Sequence, residues 1–337
     1  MNNILDLNRK ELAEALTGLG EKPFRGTQVF EWLGRGVSSF AEMTNIPASL
    51  ITKLKEDYYI GLPEVVKKQE SKDGTVKCLF RFKDGTEVES VFMKYSYGNS
   101  ICISSQSGCR MGCTFCASTM DGLERNLTGG EMLGEVLAMR NLTEEEIGHV
   151  VIMGMGEPFD NYEELSRFIN LIHDEKGYNL GLRNITVSTC GIIPGIKEFG
   201  DAFPQVNLAV SLHAPNQEIR QRTMPVAKKY EYEELMAACR EYTEKTRRRI
   251  TFEYAVIDGV NDSESCAKEL ADHLKGMLAH VNLIPLNEVK GRDYKQAAGE
   301  SVRRFKDTLE RRGVAVTIRR TLGADIDAAC GQLRRNN

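Results

Sequence analysis

Apolar residues recur at Leu12, Ala15, Leu16 and Leu19, the i, i+3, i+4, i+7 spacing that buries one face of a helix. Residues 5–59 keep this helical character, broken by Pro23, Gly26 and Pro47. Phe24, Phe30, Trp32, Leu33, Phe40 and Leu50 supply a core for a small helical module. The rhythm then turns to period two. Residues 76–82 and 86–95 are β-prone runs joined at Asp84-Gly85, and a second Asp-Gly stands at Asp73-Gly74. Asp-Gly accepts the positive φ angles of a tight turn, so a hairpin is expected here. After Ser100, short apolar strands (101–103, 149–153, 184–189, 206–211, 250–257, 281–284) alternate with helices (130–140, 162–173, 232–245, 263–277 and near 301–312). Such alternation implies a parallel sheet covered by helices. About six βα units suit either an incomplete barrel or an open doubly wound sheet, and both place a site at the C-terminal ends of the strands.

Composition narrows the class. A chain of 337 residues with 41% hydrophobic and 27% charged positions has length for about two domains and material for a packed core. No stretch approaches the ~18 uninterrupted apolar residues of a membrane span, and the first residues lack the zones of a secretory signal. A soluble, cytoplasmic chain with no membrane partner is therefore expected. The net charge of −4 gives no overall pull toward nucleic acid. The distribution is uneven, however: from Val281 onward 12 basic residues face 7 acidic ones, a local excess that can meet phosphates. Lys228-Lys229, Arg247-Arg248-Arg249, Arg303-Arg304, Arg311-Arg312 and Arg319-Arg320 are the candidate contacts.

Nine cysteines, an odd number, argue against a disulfide framework. Cys78, Cys102, Cys190, Cys239, Cys266 and Cys330 are scattered, whereas Cys109, Cys113 and Cys116 form a C-x3-C-x2-C run. Three thiolates so close can converge on one soft metal centre. A structural zinc site wants a fourth ligand, usually from a second Cys or His pair, and the five histidines show no paired spacing. Three ligands instead suit an iron–sulfur cluster with one open iron, at the low potentials that reductive cleavage needs. Burial as small hydrophobes, and zinc, are the competing readings.

At these residues the chain resembles the radical S-adenosylmethionine (radical SAM) superfamily. Further segments narrow the likeness: Gly154-Met155-Gly156-Glu157-Pro158, Ser188-Thr189-Cys190-Gly191, Ser211-Leu212-His213, Ile284-Pro285-Leu286-Asn287, and the stretch from Asp325 to Leu333 around Cys330. Together they are similar to the RlmN/Cfr family of RNA adenine methyltransferases over nearly the whole chain. The resemblance implies an α/β fold, a partial (β/α)6 barrel over residues 99–337, with an N-terminal helical accessory domain (1–60) and a β-meander linker (61–98).

It also implies a chemistry. Cys109, Cys113 and Cys116 are implied ligands of a 4Fe–4S cluster, and Gly156, Glu157, Ser188, Ser211, Leu212, His213 and Asn287 bind S-adenosylmethionine, two molecules per turnover. Cys330 is implied to be methylated and so to carry the methyl group by thiolate nucleophilic catalysis. Cys102 resolves the covalent RNA adduct by forming a disulfide with Cys330. Glu89 acts as proton acceptor, a role that needs reach and a suitable pKa. The implied substrates are 23S rRNA near the peptidyl-transferase centre and tRNA beside the anticodon, at adenine C2. An external low-potential electron donor such as flavodoxin or ferredoxin is implied as partner. A C8 methyltransferase of 23S rRNA and a radical SAM activase of a partner protein are the alternatives. Because adenine C2 is electron-poor and carries no acidic proton, polar methyl transfer has no nucleophile there, and the target base must also leave its stack.

Overall fold

The computed structural model describes residues 1–334. A ten-stranded sheet organises it: β1 Glu64–Glu70, β2 Val76–Arg81, β3 Glu87–Tyr95, β4 Gly98–Ile103, β5 His149–Ile152, β6 Ile185–Thr189, β7 Asn207–Ser211, β8 Ile250–Val256, β9 Ala279–Pro285 and β10 Ala315–Ile318. Spatial order equals chain order throughout. β1 to β4 are antiparallel, and from β4 to β10 every pairing is parallel. A doubly wound sheet reverses its strand order at a switch point; no reversal occurs here. Crossovers of one hand then put every helix on one face and curl the sheet into an incomplete barrel.

The helices are α1 Arg9–Gly18, α2 Phe24–Gly34 and α3 Ala48–Asp57 in the N-terminal module, then α4 Gly129–Thr143, α5 Tyr162–His173, α6 Ile193–Ala202, α7 Gln217–Thr223, α8 Tyr232–Thr246, α9 Glu264–Leu274 and α10 Gly299–Arg311. The hairpin at Asp84-Gly85 forms as β2 and β3. The pattern analysis missed α6, α7 and β10 for physical reasons. α6 carries Pro194, Gly195 and Gly200, breakers that hide a helix whose proline sits harmlessly in its first turn. α7 spans seven mostly polar residues, and β10 is a four-residue edge strand.

Alternation along the strands divides the molecule. Val150, Ile152, Ile185, Val187, Leu208, Val210, Phe252, Tyr254, Val281 and Leu283 are at most 1% exposed and pack beneath the helices. The intervening residues, Val151, Thr186, Ser188, Ser211, Thr251, Glu253 and Asn282, point the other way by period two and give the barrel a largely polar interior. The N-terminal module shares the continuous apolar core and is tied to the barrel where the Gly130 N–H donates to Asp6 Oδ1 at 2.9 Å. Phe24, expected in the core, is instead 51% exposed. It opens α2 directly after Pro23, and its ring lies under the Arg25 guanidinium at 5.0 Å.

Candidate active site

A cavity of about 1040 Å³ opens at the C-terminal ends of the parallel strands. Ten of the expected site residues line it: Cys109, Cys113, Cys116, Gly156, Glu157, Ser188, Ser211, His213, Asn287 and Cys330. Glu89, Cys102 and Leu212 do not. The Leu212 side chain is fully buried in the apolar core and its N–H donates to the Glu253 carbonyl at 3.1 Å, so its carbonyl is the group left for a ligand.

The cysteine loop follows β4 and is fastened along its length. Arg110 donates to both carboxylate oxygens of Asp160 at 2.8 and 2.5 Å, Thr119 Oγ1 donates to the carbonyls of Cys113 and Cys116, and Arg292 donates to the Cys116 carbonyl at 3.1 Å. Burial is the dominant influence on all three thiols, pushing Cys109 up to about 12 and Cys113 and Cys116 upward too. They are thiols until a cation takes them, so metal loading must release protons. Among the described residues no three His, Cys, Asp or Glu side chains converge as ligands of a single ion. Three thiols on one short loop facing one cavity are a donor set that fits a 4Fe–4S cluster with an open iron.

Behind the loop, Gly156 has φ +102° and a Cβ there would stand 2.6 Å from Gln106 Cβ, so only glycine lets the strand end approach this closely. Gln106 Oε1 accepts the Glu157 N–H at 2.8 Å. The Glu157 carboxylate is 3% exposed and accepts the N–H groups of Cys190 at 2.6 Å and Phe159 at 3.1 Å. Burial pushes it above the usual carboxylate range. It forms no ion pair among the described residues, which suits an ammonium-bearing ligand. Ser188 and Ser211 end adjacent strands with their hydroxyls 3.4 Å apart. His213 has φ +52°, and its Nδ1 accepts the Ala255 N–H at 2.8 Å. The ring therefore carries its proton on Nε2. Burial, with the Arg220 charge adding to it, holds the imidazolium pKa down to about 3. His213 is a neutral donor, not an acid–base group.

Strand register explains the remaining three catalytic candidates. β3 and β4 pair Val91 with Cys102 and Met93 with Ser100, so Glu89, Val91, Met93, Tyr95 and Cys102 share the inward face. The C-terminal segment crosses this face. Glu89 is 2% exposed; its Oε1 meets Lys77 Nζ at 3.1 Å and its Oε2 accepts the Arg334 N–H at 2.8 Å. Burial raises its pKa, with Lys77 the chief opposing influence. Cys330 is half-buried and its carbonyl accepts from Asn287 Nδ2 at 3.2 Å. Cys102 is a free thiol pushed up to about 12, by burial first and by Cys330 second, so the two sulfurs are electrostatic neighbours.

Three residues escaped the pattern analysis as site residues. Glu253, 5% exposed, lines the cavity and accepts from Asn282 Nδ2 at 2.9 Å. Arg319, weighed only as a phosphate contact, continues the inward face of β10, and its guanidinium charge acts on both Cys330 and Cys102. Lys77 lies under Glu89. Glu253 carried a usable signal, a carboxylate at an alternating position of an otherwise apolar strand.

Comparison with known proteins agrees with this architecture. Residues 103–270 match the radical SAM superfamily, and residues 2–60 match the N-terminal domain of a ribosomal RNA large subunit methyltransferase. A probable dual-specificity RNA methyltransferase RlmN of Alkaliphilus oremlandii is 54% identical over 336 residues, covering 99% of this chain and 98% of that one. One from Clostridium novyi is 52% identical, covering 100% and 98%. The crystal structure of a radical SAM methyltransferase from Sphaerobacter thermophilus superposes with a TM-score of 0.96 at 44% identity, over 99% of each chain.

Proposed function

The chain belongs to the RlmN family of radical SAM methyltransferases, and from that premise we propose that it methylates C2 of an adenosine in 23S rRNA, in the peptidyl-transferase region, and in tRNA next to the anticodon. One observation carries the reading: Cys330 lines the same cavity as Cys109, Cys113 and Cys116. An activase needs the trio alone, whereas transfer through a carrier needs a nucleophile beside it. Cys109, Cys113 and Cys116 would hold a 4Fe–4S cluster, which would supply one-electron reducing power toward S-adenosylmethionine, with an external donor such as flavodoxin or ferredoxin as its source.

The chain's own residues do the rest. Gly156 and Glu157 would hold the amino acid end of S-adenosylmethionine. Ser188, Ser211 and Asn287, the Nε2–H of His213 and the Leu212 carbonyl would grip its ribose and adenine. Cys330 carries the methyl carbon to the base. Glu89 takes the ring proton, which Lys77 favours by keeping the carboxylate ionised despite burial. The Cys102 thiolate then attacks the Cys330 sulfur: the S–S bond forms, the S–C bond breaks, its electron pair passes to the methylene carbon on the base, and that carbon takes up a proton to become the methyl group, the disulfide being reduced by an external thiol before the next turnover.

The test is anaerobic reconstitution of the full chain with reductant, S-adenosylmethionine and defined RNA fragments. Digests are then compared by mass spectrometry with 2-methyl- and 8-methyladenosine standards. The 2-methyl product is expected; an 8-methyl product overturns the assignment to C2. Cys330→Ala should abolish methylation while iron still loads, and methylation persisting in that variant would remove the carrier role.

A further inference from the structure

A second, small cavity lies on the far side of Cys330, where β3 meets the chain leaving β10. Met93, Tyr95, Arg319, Arg320 and Cys330 are in its wall, so Cys330 borders both cavities. Tyr95 continues into an aromatic stack: its ring lies 4.9 Å from that of Tyr97 at an interplanar angle of 10°. Tyr97 is 65% exposed, and the His149 ring stands perpendicular to it at 5.2 Å. The Arg319 charge acts on both tyrosines.

Several of the other basic candidates are engaged elsewhere. Arg248 donates to Gln205 and Asn207, Arg304 pairs with Glu300, Arg312 pairs with Asp272, and Lys229 sits over Tyr230. None of them lines either cavity beside Cys330. Arg319 and Arg320 do: Arg319 turns its guanidinium to Cys330 and Glu253, whereas Arg320 is exposed and forms no ion pair among the described residues. The Arg319 backbone is anchored to the Leu283 carbonyl at 2.8 Å, which fixes where Arg320 emerges. An exposed aromatic ring near an unpaired guanidinium is a surface on which an unstacked nucleotide settles, its base on the ring and its phosphate on the cation. In a chain of net charge −4 a local site of this kind must replace long-range attraction.

We propose that Tyr97 and Arg320 hold the RNA nucleotide adjoining the target adenosine, base on Tyr97 and phosphate on Arg320, so that the adenine itself enters beside Cys330. The inference rests on the RNA methyltransferase reading and adds a substrate subsite to it.

The experiment is fluorescence anisotropy of the full, cluster-loaded protein with a fluorescein-labelled RNA stem-loop carrying an unpaired adenosine, over a series of salt concentrations. Tyr97→Ala should weaken binding about five- to 150-fold, the range for loss of one stacked base, and Tyr97→Phe should restore it to within about twofold. Arg320→Gln should lower the slope of log affinity against log salt by about 0.7–1. Iron content and melting temperature are measured on the same samples, so a misfolded variant is recognised and replaced by the Phe or Lys version. Affinity and salt slope equal to wild type in Tyr97→Ala and Arg320→Gln, with wild type binding and methylating the RNA, overturn this subsite alone. Wild type that neither binds nor methylates any RNA overturns the methyltransferase reading itself.

Discussion

Replacing Lys77 by methionine isolates the electrostatics of Glu89. The ammonium and carboxylate are 3.1 Å apart with both side chains 3% exposed. Removing one partner of a buried pair costs about 3–5 kcal/mol, because the other charge is left without compensation. Unfolding entropy of ~2.1 cal/mol/K per residue gives ~0.7 kcal/mol/K for this chain, so the melting temperature should fall by about 4–7 °C. The direction with pH follows from Glu89. Its folded pKa is raised by burial, so stability from the protonated form is present at low pH and lost as pH rises through the folded value. Without Lys77 that value rises further. The deficit should thus be full at pH 8 and shrink toward pH 5, where the carboxyl takes up a proton. The acid limb of the pH profile for RNA methylation should move upward in parallel. Calorimetry across pH 5–8 reads the first effect, and the double variant Lys77→Met/Glu89→Gln should recover most of it. A Lys77→Met protein melting within about 1 °C of wild type at pH 8, or a deficit independent of pH, would refute the argument.

Three further outcomes follow from the same structure. Glu135 is fully buried with one oxygen unpaired, and burial pushes it up to about 8. Stability should therefore fall as pH rises from about 4.5 to 8, and Glu135→Gln should remove about one proton from that slope in urea titrations. Gly156→Ala forces a side chain onto φ +102° and against Gln106, whose amide is itself held by Asn126 and Asp160. A loss of about 1–3 kcal/mol is expected, and an unchanged melting curve with normal iron loading would count against the close approach. His213, held near 3, should show no nitrogen chemical-shift titration between pH 5.5 and 8, and any such titration would disprove its assignment as a neutral donor.

Most of the barrel was legible because its strands are short apolar runs separated by helices of ordinary length; α5 coincides with its expected span, residues 162–173. The choice between barrel and doubly wound sheet was not legible, since it depends on strand order, a non-local property that periodicity does not encode. Local chemistry was readable where residues cluster in sequence, as at Cys109, Cys113 and Cys116. Glu253, Lys77 and Arg319 stayed hidden because each gains its meaning from partners on another strand or segment: Asn282 for the first, Glu89 and the C-terminal backbone for the second, Cys102 and Cys330 for the third. Glu89 itself was expected as the proton acceptor. Sequence contained no sign that its two oxygens would be engaged by Lys77 and Arg334.

The setting of Cys330 follows from what a carrier must do. A residue on a barrel strand is fixed by its ladder to one face, and could meet a donor or an acceptor but not both. Cys330 stands outside the ladder, followed by Gly331 at φ +84°, in a segment pinned on either side by polar contacts. Gly323 N–H donates to Asp73 at 2.9 Å, Ser71 Oγ donates to Asp325 at 2.5 Å, Ser118 donates to the Leu333 carbonyl at 2.7 Å, and Arg334 pairs with Asp121 at 2.7 Å. Between these anchors the Cys330 carbonyl has the Asn287 amide as a partner. Such a segment holds the thiol in the wall between the two cavities. On the proposed chemistry one side of that wall belongs to S-adenosylmethionine and the other to RNA. The methyl group then changes partners without the barrel moving.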